Sequence, residues 1–393
     1  MAVKDEASTQ TLDVSDLDRY MGVPMQPGIL REPITVNDIR RFVQGMHYPN
    51  PLHFIESWAT ESCFETIVAP QSFTVACDTS HGCAPASVGR VPDSHLIFGG
   101  DEWWFFGPRI FAGDHLVCHR MPYDYKVADT SFAGATCFQR GDTLYINQKG
   151  ERVALQRSTS IRYQVKKARE QKMFDEEGDP AWSDEQLVEL DEIKMGFIRS
   201  IHDLGHDPRP FSSVKVGDEL VKNVLGPHSL ASLTTEWRAY PMTTWGAMKQ
   251  GPELGKAEDL GYTPEMAGFE GDRRVERLNP ELTDGAYYGP SRGHLQPQWA
   301  RHVGMGRGYG YGASMGAWVL DYVAAWAGEW GFIVHSDAKY RRPAFTGDAS
   351  FIRGAVTDTR VERRRHLAVV DVEITNQDDE VMVKGRVEVE LPE

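Results

Sequence analysis

The chain has 393 residues, 42 Lys+Arg against 57 Asp+Glu, and 41% hydrophobic residues. A net charge of −15 argues against general nucleic-acid or anionic-membrane binding, which needs a basic face, and the composition excludes disordered, collagen-like and disulfide-stapled classes. At roughly 150 residues per domain, the length allows two or three domains.

Residues 1–30 form an N-terminal extension with Asp5, Glu6, Asp13, Asp16 and Asp18, lacking the basic start and apolar stretch of a signal peptide. The expectation is a cytoplasmic protein. Residues 36–45 read as a helix. The five cysteines, at 63, 77, 83, 118 and 137, are odd in number and include no CxxC pair, which suits free thiols in a reducing compartment. Cys77, His81 and Cys83 are close enough for metal ligation, but no fourth partner is evident, so no metal is expected. The block Trp103, Trp104, Phe105 and Phe106 reads first as packing, with a substrate tunnel as the alternative. Residues 144–147 and 152–163 alternate as strands about a hairpin turn, as do residues 368–375 and 381–391.

Between these pairs, residues 166–205 turn charged and amphipathic, and Ser183 followed by Gln186 forms a capping box for a linker helix. A Gly/Pro-rich stretch at 251–289 reads as a long loop. The run Gly304, Gly306, Gly308, Gly310, Gly312 fails the dinucleotide spacing and reads as a loop whose backbone approaches a ligand. Residues 315–332 are the most apolar stretch, yet Asp321 and Glu329 make them a buried helix rather than a membrane span. Arg363, Arg364 and Arg365 read as a solvated turn.

The chain also resembles itself. Gly113-Asp114 and Gly347-Asp348 sit in parallel blocks at an offset of 234 positions, and Asn147-Gln148 and Asn376-Gln377 follow at 229. Two blocks at nearly one offset indicate a duplication. Each copy combines a helical region with an antiparallel sheet that would wrap around it. The expected domains are therefore residues 31–165 and 209–393, joined by a helical linker at 166–208, with residues 251–289 as an insertion in the second.

The segments IVAPQSFT, GDEWWFFGPRIFAGDHL, KVGDEL and YRRPAFTGD together resemble MaoC-like acyl-CoA hydratases/dehydratases of the tandem type, over about residues 31–392. The resemblance implies an α+β double hot-dog fold: two antiparallel sheets, each around a central helix, paired as a pseudo-dimer with the thioester between the halves. It implies a hydro-lyase acting across the Cα–Cβ bond of an acyl thioester, with coenzyme A as part of the substrate and no other cofactor. The expected partner is that small molecule, not nucleic acid or membrane; a homo-oligomer or a hot-dog partner subunit both stay open.

The family motif D-x-N-P-x-H corresponds to Tyr48-Pro49-Asn50-Pro51-Leu52-His53, with Tyr48 in place of the Asp. His53 would move the proton, Asn50 would orient carbonyl or water, and Tyr48 would hold water or donate. In the second half His294 is the matching candidate, with Gly289 where the Asp should be. Glu56, Asp78 and Asp284 are the nearest carboxylates in sequence. The resemblance places the amides that polarise the thioester carbonyl at Gln71-Ser72 and at Gly312-Ala313. Arg307, Arg341, Arg342 and Arg353 are candidates for the phosphates. Two rival readings stay open, a thioesterase and a non-catalytic or partner-dependent acyl-CoA-binding protein.

Overall fold

The computed structural model describes residues 12–29, 33–78, 80–174, 178–233, 294 and 297–393. The 251–289 loop, Asp284 and Gly289 lie outside the described residues.

Ten antiparallel strands form one continuous sheet in the order β1-β3-β4-β5-β2-β7-β10-β9-β8-β6. The first five belong to the first half: β1 (Gly28–Ile29), β2 (Ser94–Phe105), β3 (Leu116–Thr130), β4 (Gly134–Asn147) and β5 (Arg152–Gln164). The other five repeat the plan: β6 (Asn223–Leu225), β7 (Phe332–Tyr340), β8 (Ser350–Glu362), β9 (Arg365–Thr375) and β10 (Val381–Glu390). The halves join edge to edge, with Asp101 of β2 opposite Ala338 of β7 and Trp103 opposite Ser336. Closing each half's free edge on the other hides both from water.

The duplication extends to individual hydrogen bonds. Asn147 Nδ2 donates to Glu151 at 2.8 Å and Asn376 Nδ2 to Glu380 at 2.8 Å, while Gln148 and Gln377 donate to Asp114 and Asp348 at 2.6 and 3.0 Å. These contacts pin each β-hairpin to the Gly-Asp turn before the long strand. The turn glycines have φ of +96° at Gly113 and +83° at Gly347, which side-chain-bearing residues rarely adopt. Arg363 and Arg364, also at positive φ, form the β8–β9 turn.

Six helices complete the described chain: α1 (Val36–Gly45), α2 (Glu56–Glu61), α3 (Val165–Gln171), α4 (Asp184–Leu204), α5 (Pro297–His302) and α6 (Gly312–Ala327). The capping box at Ser183 and Gln186 starts α4. Helix α6 is apolar nearly all round, and the sheet covers it accordingly. Its counterpart in the first half is not α1. It is a 3-10 segment, Gln71–Cys77, buried throughout. The following residues, with Gly82, Pro85, Gly89 and Pro92, hold too few helix formers to extend it. No helix among the described residues is long and apolar enough to cross a membrane.

Candidate active site

A shift of 241 positions carries His53 onto His294, Val68 onto Tyr309 and Gln71 onto Gly312. The structure repeats the chemistry at the same shift. His53 Nδ1 lies 2.7 Å from the Val68 carbonyl, and His294 Nδ1 lies 2.7 Å from the Tyr309 carbonyl. A carbonyl oxygen only accepts, so each Nδ1 carries the hydrogen and each Nε2 is left as the proton acceptor. Burial lowers His53 to about 3 and His294 to about 4, and the carbonyl bond opposes the fall in each. Both rings are neutral near pH 7.

The surroundings of the two histidines differ. In the first copy, Asn50 Nδ2 donates to the Tyr48 hydroxyl at 3.0 Å and Asn50 Oδ1 accepts from Leu52 N–H at 3.1 Å. Burial raises the Tyr48 phenol well above its ordinary range, so it stays protonated. Gln71, at the start of the 3-10 segment, uses its amide twice on one residue: Nε2 donates to the Ile333 carbonyl at 2.8 Å, and Oε1 accepts from Ile333 N–H at 2.9 Å. Ser72 donates to Asp321 of α6 at 2.5 Å, and burial lifts Asp321 to about 8. The remaining space is about 20 Å³, too little for an acyl chain.

In the second copy Gly312 has no side chain, and its Cα faces Phe98 so closely that a Cβ would stand 2.6 Å from the Phe98 Cβ. Here a cavity of about 1060 Å³ opens, lined by His294, Gly310, Tyr311, Gly312 and Ala313 from the second half and by β2 and residues 80–87 from the first. The first amides of a helix have no intrahelical acceptor, and Gly312 and Ala313 at the start of α6 line this space. His294 stacks on Tyr311, ring centroids 4.2 Å apart, and His81 meets the Tyr311 ring edge-on at 6.1 Å. Of the glycine run, Gly310 and Gly312 line the cavity.

The remaining sequence candidates are dispersed. Asp78 is buried against Arg120 and accepts from Ser80 and Gly82, shaping the loop that brings His81 and Cys83 to the cavity; the Arg120 charge and these donors hold it below the usual carboxylate range against a strong burial effect. Glu56 is exposed at the start of α2. Arg307 is buried and committed to Asp348 at 3.0 Å and to the Thr346 carbonyl. Arg341 and Arg342 do line the cavity, with Arg342 paired to Glu380 at 3.0 Å. Arg353 is an exposed partner of Asp379. Trp103 stacks on Phe105 and Tyr145 inside the first half. Among the described residues, no group of three or more metal-ligating side chains converges, Cys77, His81 and Cys83 included.

Residues 19–156 match the family model described as the FAS1-like dehydratase domain region. The whole chain superposes on solved double-domain structures. A MaoC-like dehydratase aligns at TM-score 0.60 and 14% identity, over 96% of this chain and 99% of the other. A Mycobacterium tuberculosis protein described as having a double hot-dog fold aligns at 0.53 and 8% identity, over 96% and 98%. The chain has a double hot-dog fold. A putative MaoC domain dehydratase from Chloroflexus aurantiacus aligns at 0.52 and 12% identity, over 94% and 95%. A probable enoyl-CoA hydratase alpha subunit from Thermomonospora curvata is 29% identical over 164 residues, 38% of this chain; the match spans about half, 50%, of that relative.

The sequence motifs missed the carboxylates on the cavity wall, Asp101, Glu102, Asp124, Asp129 and Asp337, of which Asp101 alone is buried. A signal was present. Asp101, Trp103 and Phe105 alternate on one buried face of β2, so a carboxylate stands where the pattern calls for an apolar residue. Lys126, Arg140, Arg157 and Lys339 were also missed, and with Arg341 and Arg342 they bring six cations to the cavity lining.

Proposed function

We propose that the chain adds or removes water across the Cα–Cβ bond of an acyl thioester, at the His294 site. The supporting observation is the contrast between two matching histidines: only the second stands in a cavity large enough for a substrate, beside an uncapped helix start. The family match and the hydratase name of the Thermomonospora relative agree with this reaction class.

In this reading Nε2 of His294 takes a proton from water as the water oxygen bonds to Cβ. The double-bond pair moves toward the thioester carbonyl, and the Gly312 and Ala313 amides hold the developing enolate oxygen. The Tyr309 carbonyl fixes the ring and its tautomer. Arg341 and Lys126, beside the acid-paired Arg140, Arg157, Lys339 and Arg342 at the lining, suit the phosphates of a coenzyme A thioester. Incubation with a panel of enoyl-CoA thioesters, followed by loss of the conjugated enoyl absorbance, tests the reading. Release of free thiol instead would assign a thioesterase.

A second reading has the chain work with a separate subunit. The Thermomonospora relative is named an alpha subunit, and Gly289 leaves the second motif without its carboxylate. Turnover by the purified chain alone would remove this reading.

A further inference from the structure

The second-half motif offers a histidine without its carboxylate, so the proton destined for Cα needs another source. We infer that the Tyr340 hydroxyl delivers it, with Asp101 of the first half as the group that recharges Tyr340; the inference rests on the hydration reading above.

The placement follows from strand register. Asp101 lies opposite Ser158 on β5 and opposite Ala338 on β7. Its diagonal neighbours on the same sheet face are therefore Gln156 and Tyr340, within reach of a short carboxylate. Gln156 Nε2 donates to Asp101 Oδ1 at 2.7 Å, and the Tyr340 hydroxyl donates to Oδ2 at 2.9 Å. Gly316, in the first turn and a half of α6, permits the arrangement: a Cβ there would collide with the Tyr340 oxygen and stand 3.0 Å from Asp101 Oδ2. Both residues line the cavity that holds His294 and Gly312. Gln156 is itself fixed by accepting from Tyr145 at 2.8 Å, so the carboxyl cannot turn away.

The dyad has two states. With Asp101 ionised, Tyr340 donates to it. With Asp101 protonated, the carboxyl donates to the phenol oxygen, and the phenol O–H turns from Asp101 toward the cavity. Burial raises Asp101 to about 7, opposed by its bonds to Gln156 and Tyr340, so both states are accessible near neutral pH. The titratable groups around it are Tyr340 on β7, His81 and Cys83 on the loop, Tyr145 on β4 and His294; β5 and α6 contribute the uncharged Gln156 and Gly316.

Atoms balance through one turnover. Water forms the Cβ–O bond and gives one proton to His294. The enolate Cα takes the Tyr340 proton as Asp101 passes its own to Tyr340. The imidazolium then returns a proton to the Asp101 carboxylate through cavity water, and the net change is one water added.

The test compares wild type with Asp101→Asn, Asp101→Glu and Tyr340→Phe on an enoyl-CoA substrate, with near-UV circular dichroism to confirm folding. Asp101→Asn and Tyr340→Phe should each lower kcat by about 100-fold or more, the range for general acid–base groups, while KM changes by less than about threefold. The wild-type rate should fall as pH rises through about 7, as Asp101 loses its proton. Asp101→Asn should lack that limb, and Asp101→Glu should restore it. An active wild type whose Asp101→Asn variant keeps both kcat and the limb overturns the dyad alone. A wild type inactive on every thioester overturns the dyad and the hydration reading together.

Discussion

Two halves of one chain carry the same histidine, bonded to the same backbone carbonyl, and arrive at opposite outcomes. In the first half the position at the start of the 3-10 segment is Gln71, whose amide clamps Ile333 beside a space of about 20 Å³. In the second it is Gly312, and a cavity of about 1060 Å³ lies in front of it. The lesson is that a motif histidine identifies where a site could be, while the residue at the helix start decides whether a substrate has room. Nδ1 bonding and a depressed pKa are common to both copies, so neither property distinguishes them.

The contrast is sharpest under deletion of each histidine. Turnover of an enoyl thioester should fall by about 100- to 10,000-fold in His294→Ala, as expected for loss of a general base. His53→Ala should stay within about threefold of wild type, because the space beside His53, about 20 Å³, is too small for an acyl chain. Gly312→Gln, which gives the open copy the side chain of the closed one, must displace Phe98. It should abolish measurable thioester binding without the loss of fold that a core cavity causes; calorimetric titration reads this directly. The reciprocal Gln71→Gly removes two hydrogen bonds from a buried strand residue, and a loss of about 1–3 kcal/mol in denaturant unfolding is expected. Enlargement of the first pocket in that variant would sharpen the argument; unchanged stability would weaken the clamp.

A smaller effect should appear with pH. His53, His81, His95, His228 and His294 are all lowered by burial, to about 3 or 4. The unfolded chain binds their protons first, at about pH 6.5, so stability falls as pH drops from there toward 4. Asp101 and Asp321 act oppositely, because their raised folded values, about 7 and 8, mean stability is lost as pH rises toward those values. With five groups against two, Tm should decline on acidification from pH 7 to 4.5. A Tm that rises over that interval would contradict these burials.

Much of this architecture was legible before the structure. The repeated Gly-Asp and Asn-Gln pairs marked the hairpins because each pair is a local device, with its hydrogen bonds inside a turn or across one strand pair. The capping box at Ser183 is local for the same reason. What escaped was long-range. Gln71 reads as an ordinary helix-start residue until Ile333, 262 positions away, accepts its amide. Asp101 stands out only as a carboxylate in an apolar strand pattern until Gln156 and Tyr340 arrive from two other strands, 55 and 239 positions along. The helix expected at residues 36–45 formed, yet the central position went to Gln71–Cys77, since helical pattern alone carries no information on which segment enters the sheet.

The most direct test of the central claim is a calorimetric titration of the whole chain with a non-reactive thioether analogue of an acyl-CoA, repeated on His53→Ala and Gly312→Gln. One equivalent bound by wild type and by His53→Ala, and none by Gly312→Gln, is the predicted result. Two equivalents in the wild type, or binding that survives Gly312→Gln but is lost in His53→Ala, would contradict it.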